Sequence, residues 1–289
     1  MPSKSTAQRP PFFEVRIHDL ATMPPLTGVC AGYESGRWRC DQLAGHLITL
    51  LPDFALTYEE KEQLDFSNAA EKLMQAAKSV YTSKGTRFRR RGEAGELLLH
   101  AICREVFTTL PAIARYYYKD SANDTVKGFD SVHVRANADG LELWLGESKL
   151  YKSVSQAISA VIKDLRKHTR RDYLRGEFVA ITNKIEDSWP HAARLKRLLD
   201  PRVSLDEIFQ RVCIPVLLTY ESSTIRRYTS VTHGFKTEFE REMRKHHGSF
   251  ATKHKLRSIR VHLILLPIQS KSAFLKAFDE RLRACQSVI

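Results

Sequence analysis

The chain has 289 residues, 43% hydrophobic and 27% charged, a globular composition long enough for one large domain or two small ones with a full core. No apolar run approaches the ~20 residues of a membrane span, the start MPSKSTAQRPPFF lacks the apolar core of a secretory signal, and the five scattered cysteines contain no CxxC pair, so membrane, secreted and disulfide- or zinc-framed classes are set aside and a soluble cytoplasmic protein is expected. The 46 Lys and Arg against 33 Asp and Glu leave a formal charge of +13, which favours phosphate-rich partners, nucleic acid first.

FFEVRIHDL (12–20) reads as a short strand and, after a Pro/Gly-rich turn, DQLAGHLITLL (41–51) as a helix. Thr57 followed by Glu59 and Glu60 reads as an N-cap, and SNAAEKLMQAAKSVY (67–81) has helical periodicity. Residues 1–85 are therefore expected to be a mostly helical N-terminal region, a candidate partner-docking surface, with the remainder, 86–289, a second domain. That domain opens with Arg89, Arg90 and Arg91, then GEAGELLLHAICREVF as a helix of about four turns. IARYYYK (113–119) is a strand candidate whose tyrosines could stack bases, though packing explains them as well. GFDSVHVRA (128–136) and LELWLGESK (141–149) are strands joined by NADG, a hairpin turn signal. SVSQAISAVIKDLRKHT (153–169) is a basic amphipathic helix, and Lys163, Arg166, Lys167 and Arg170 are candidate phosphate contacts. EFVAITN (177–183) reads as a strand buried on both faces. A helix near 191–199, a strand at 212–220, a helix near 234–246 running into a basic loop KHHGSFATKH, a strand at 260–268 and a last helix complete the chain. This order implies an α/β core with a central mixed sheet flanked by helices.

Chemistry concentrates in the hairpin. Side chains alternate along a strand, so Glu147 and Lys149 share a face at the end of an apolar stripe. Asp130 and Glu147 are about equally far from the turn, so the hairpin brings two carboxylates and an ammonium to one end of the sheet. Such a set suits phosphodiester hydrolysis: hard oxygens hold Mg²⁺ with several waters retained, and the lysine stabilises developing charge or helps the attacking water. Glu96 on the preceding helix is the preferred extra metal acid, with Glu93 second, since the helix start alone explains an acid there. Alternatively, Glu147 and Lys149 form a surface ion pair.

GFD followed by GESK, after a GE-bearing helix and before a Gln-bearing one, resembles the PD-(D/E)xK nuclease superfamily. More closely, RGEAGELLLHAICREVF with KGFDSVHVRANADGLELWLGESKLYKSVSQAI resembles the nuclease subunit of Hachiman anti-phage defence systems. The resemblance implies a restriction-endonuclease-like fold, Asp130 and Glu147 as metal-binding acids, Lys149 as the catalytic lysine, and Mg²⁺ as cofactor with Mn²⁺ as a substitute. It also implies a superfamily 2 helicase partner that restrains the nuclease, and DNA degradation with little sequence preference. The chain departs from the superfamily pattern by placing Gly128-Phe129 where Pro precedes the acid. It also departs from the QxxxY motif of some relatives, since Gln156 is followed four residues on by Ala160. Two other readings remain at this stage: a non-catalytic nuclease-like subunit that binds DNA or tethers the helicase, and a site-specific restriction endonuclease.

Overall fold

The computed structural model describes residues 10–80, 92–114, 128–137, 140–256 and 258–287. Arg89, Arg90, Arg91 and the tyrosines 116–118 lie outside the described residues.

Nine strands occur among the described residues: β1 Glu14–Asp19, β2 Leu26–Cys30, β3 Tyr33–Glu34, β4 Arg37–Trp38, β5 Leu110–Pro111, β6 Ser131–Asn137, β7 Gly140–Leu150, β8 Val212–Glu221 and β9 Arg260–Ile268. Seven form one mixed sheet in the order β1-β2-β9-β8-β7-β6-β5, and β3–β4 is a separate hairpin. The middle is parallel (β2, β9, β8, β7), and antiparallel pairs close both sides. The central strands are buried on both faces, which is why LELWL, VCIPVLLTY and RVHLILLPI read as nearly continuous apolar runs.

Helices cover the sheet on two sides. The longer ones are α1 Cys40–Thr49, α4 Ala69–Val80, α5 Glu93–Glu105, α6 Val154–His168, α7 Arg171–Lys184, α11 His233–Lys253 and α12 Lys271–Gln286; the short turns are α2 Leu51–Ala55, α3 Tyr58–Glu62, α8 Ala192–Leu198, α9 Leu205–Phe209 and α10 Ser223–Arg227. Helix α5 packs on β6 and β7, α6 on β7 and β8, and α11 on β1 and β2. At the start of α3, Thr57 Oγ1 accepts from Glu60 N while the Glu60 carboxylate accepts from Thr57 N, the capping box expected there.

Two expectations are corrected and one is extended. EFVAITN lies in α7, not in a strand: the buried positions Leu174, Glu177, Phe178 and Ile181 follow the helical period, and Val179 points to solvent. The N-terminal region carries strands as well as its helices α1 to α4: β1, at the expected 12–20 strand, and β2 both belong to the main sheet. Strand β2 was hidden by its Pro24-Pro25 entry and Gly28. KHHGSFATKH is no loop either, because α11 continues to Lys253.

Gly146, the first residue of GESK, is fixed by packing. A Cβ there would meet Leu99 Cδ2 of α5 at 2.6 Å and Ser131 Oγ of β6 at 2.2 Å. The hydroxyl can rotate away, but Leu99 is fully buried and cannot. Gly146→Ala is therefore expected to cost about 1–3 kcal/mol by overpacking, seen as a lowered Tm in thermal unfolding. An unchanged Tm would mean that α5 lies farther from β7 than described.

Candidate active site

The hairpin register is the one the turn predicts: Asn137 faces Gly140, and Ser131 faces Gly146. Asp130, one residue before β6, therefore falls at the level of Glu147, and Asp130 N donates to Gly146 O at 2.8 Å. The segment before β6 is held from behind, where Phe129 is fully buried and its N–H donates to Glu177 Oε1 at 3.3 Å. Asp130 Oδ2 accepts from Ser148 N at 2.7 Å and Ser148 Oγ at 2.9 Å, which ties the acid to the neighbouring strand.

Alternation sends the residues of β7 to two different helices. Gly95 of α5 lies against Ser148 and Leu150, on the face that Gly146 shares. Glu147 and Lys149 point the other way, toward α6. The Glu147 side chain is 1% exposed, and its Oε1 meets His168 Nδ1 in a short hydrogen bond. Its Oε2 lies 3.5 Å from Lys149 Nζ, and that ammonium is 2.8 Å from Asp164 Oδ2. Asp164 and His168 are one helical turn apart on α6.

Charge is crowded here. Burial pushes the Asp130 carboxyl up to about 7, helped by the negative charges of Glu147 and then Glu96 and opposed by Lys149 and the Ser148 amide. Asp130 keeps part of its surface in contact with solvent, which tempers the burial contribution. Burial alone lowers the Lys149 pKa, but Glu147, Asp130 and Asp164 outweigh it and hold the ammonium well above its ordinary value. Tyr173, whose ring stacks on His168 at 4.7 Å, has its phenol pushed up to about 12 by burial and then by Glu147, Asp164 and Asp130.

Asp130, Glu147 and Lys149 are thus brought together as the sequence predicts. Glu96 is buried on α5 and near enough to act on Asp130, but α5 covers the face of β7 opposite to Glu147. Glu93 is half-buried in the first turn of the same helix. Among the described residues, no three His, Cys, Asp or Glu side chains converge to hold an ion. The donor chemistry nevertheless fits Mg²⁺: two mutually repelling carboxylates and a serine hydroxyl are hard oxygens, and this ion is commonly held by one or two carboxylates with water completing its shell.

Lys163, Arg166 and Lys167 are exposed on α6, opposite its buried face of Ala157, Ile158, Val161, Ile162 and Leu165, and Arg170, also exposed, follows just past the end of that helix as the N-cap of α7. Gln156 is exposed at the start of the same helix. Sequence reasoning missed Ser148, Asp164, His168, Tyr173 and Glu177. His168 had a readable signal, being a polar residue on the apolar stripe of α6 in phase with Val161 and Leu165. Glu177 was concealed by the strand reading of its segment.

No curated protein matches this chain. A family model described as HamA matches residues 10–282, almost the whole sequence.

Proposed function

The chain belongs to the HamA family, which makes it a component of Hachiman anti-phage defence, and from that premise we propose that it is a metal-dependent DNA endonuclease of PD-(D/E)xK type, the effector of that system. Its expected partner is a superfamily 2 helicase that restrains it. The observation that carries the reading is the end of β7, where a strand buried along its length finishes with Glu147 and Lys149 beside Asp130. Glu147 is met by His168 and Lys149, and Lys149 by Asp164, while Asp130 stays opposed by the charges of Glu147 and Glu96; a cation held by the two acids would relieve that opposition.

Each residue has a role. Asp130 and Glu147 hold Mg²⁺, with Glu96 supporting Asp130 from the α5 side. When bound, the ion neutralises the scissile phosphate and lowers the pKa of a coordinated water. Lys149 is kept charged by three carboxylates, so it serves as a fixed positive group toward the phosphate oxygens and the charge that develops on them. A lysine that firmly protonated is a poor base, which narrows its role to electrostatics and positioning.

The exposed stripe Lys163, Arg166, Lys167 and Arg170 suits the sequence-independent grip on backbone phosphates that a nuclease of low specificity needs. Each cation that neutralises a phosphate contributes roughly 0.9 to the slope of log K against log salt. Replacing all four by alanine is expected to lower that slope by up to about 3–4 in a fluorescence-anisotropy titration with duplex DNA. An unchanged slope would remove α6 from the DNA surface.

The effector role is tested in cells. Bacteria carrying this chain and its partner are expected to lose protection against phage when Lys149→Ala replaces the wild type. Full protection by that variant would end the reading of this subunit as the nuclease.

A further inference from the structure

Resting on the nuclease reading, we infer that His168 and Asp164 of α6 are positioning residues: His168 fixes the metal-binding carboxylate of Glu147, and Asp164 fixes the ammonium of Lys149. Glu147 Oε1 is taken by His168 Nδ1, and an ionised carboxylate can only accept, so the nitrogen donates. That contact occupies one oxygen and leaves Oε2, the atom facing Lys149, for the ion. His168 is itself locked in place. Its ring stacks on Tyr173 with an interplanar angle of 15° and meets the Phe129 ring edge-on at 5.4 Å, and Phe129 adjoins Asp130 in the chain. One ring therefore braces both ends of the carboxylate pair.

Asp164 does the same for the lysine. A Lys stem has four rotatable carbons, and an ammonium 2.8 Å from Asp164 and 3.5 Å from Glu147 is confined between two helix-anchored and strand-anchored acids. Because Asp164 and His168 lie one turn apart on a single helix, the spacing of Glu147 and Lys149 at i and i+2 on β7 is read by i and i+4 on α6. The outer face of that helix carries the exposed basic stripe, so phosphate contact and catalytic geometry share one rigid element. Ligating carboxylates in metal sites are themselves hydrogen-bonded, and losing that outer contact typically costs 10–100-fold in metal affinity or activity.

The test uses the full chain and MnCl₂ alone, titrated by calorimetry without DNA, with steady-state DNA cleavage measured alongside. His168→Phe keeps a ring between Tyr173 and Phe129 but has no nitrogen, and His168→Asn restores a donor near the position of Nδ1. The Phe variant is expected to bind Mn²⁺ ~10–100-fold more weakly, with the Asn variant recovering most of the loss. Asp164→Asn, a partly exposed and structurally mild change, is expected to lower kcat by about tenfold or more at saturating metal while KM for DNA is retained. Wild-type Mn²⁺ affinity in His168→Phe, or wild-type kcat in Asp164→Asn, overturns the corresponding half of the inference and leaves the nuclease reading standing. Absence of Mn²⁺ binding in the wild type itself overturns the nuclease reading, and the inference with it.

Discussion

Glu147→Ala and Lys149→Ala are each expected to abolish DNA cleavage, with duplex binding retained. Glu147 is one of the two carboxylates that would hold the ion in the proposed site, and it has His168 on one oxygen and Lys149 near the other. Removing it leaves Asp130 alone. Removing Lys149 takes away the fixed positive charge that would face the reacting phosphate, and single electrostatic groups of that kind are worth ~10²–10³ in rate. The exposed stripe on α6 is untouched by either change, so affinity for duplex DNA is expected to stay within a small factor of the wild type. Lys149→Ala also leaves Glu147, Asp130 and Asp164 without their shared cation, and breaking a buried pair from one side costs about 3–5 kcal/mol in other proteins. Lys149→Arg separates the two effects. It keeps a positive charge and hence the fold, yet its planar fork cannot reproduce a point charge, so cleavage falls sharply while Tm holds.

Asp130→Asn is expected to make the metal-free protein more stable at neutral pH while eliminating activity. The sign follows from the raised carboxyl. Folded Asp130 holds its proton up to about pH 7, whereas the unfolded chain releases it near the ordinary value of 3.8, so folding loses stability as pH rises between those limits. The penalty is absent below about pH 4, grows to about pH 7 and is constant above. Solvent at the exposed part of the residue reduces the penalty without changing its sign. Asparagine carries no charge, and its carbonyl can still accept from Ser148 N and Ser148 Oγ. The Tm of the variant in EDTA is therefore expected to match the wild type near pH 4 and to exceed it by several degrees at pH 8. Adding Mg²⁺ is expected to reverse the order at pH 8, since wild type alone retains both acids. A constant Tm difference across that range would show that Asp130 is not under electrostatic strain.

Much of this site was legible because strands and turns obey simple counting. NADG fixed the hairpin, the hairpin fixed the level of Asp130 against Glu147, and alternation put Glu147 with Lys149. The basic face of α6 was equally readable from its period. What the chain concealed was long-range. Nothing local reveals that β2 pairs with β9, Leu26 against Leu263 across about 240 residues of chain, with β1 on its outer side. EFVAITN misled because Phe, Val and Ile favour strands, while burial against the neighbouring layer followed 3.6 residues per turn. The partners of Glu147 and Lys149 were missed for a related reason. Asp164 and His168 follow β7 by more than a dozen residues, and only the packing of α6 on that strand shows which acid and which base they meet. Glu96 was placed on the correct helix and near Asp130, but the alternation that joined Glu147 to Lys149 also turned them away from α5.

The most direct measurement is the time course of duplex DNA incubated with the purified full chain in Mg²⁺ and, in parallel, in EDTA. If the charged end of β7 is a nuclease site, DNA is lost to a continuous smear in Mg²⁺, stays intact in EDTA, and is degraded again when Mn²⁺ is supplied to metal-depleted protein. DNA that remains intact in Mg²⁺ and in Mn²⁺ at every time point, with and without the helicase partner, would contradict the account.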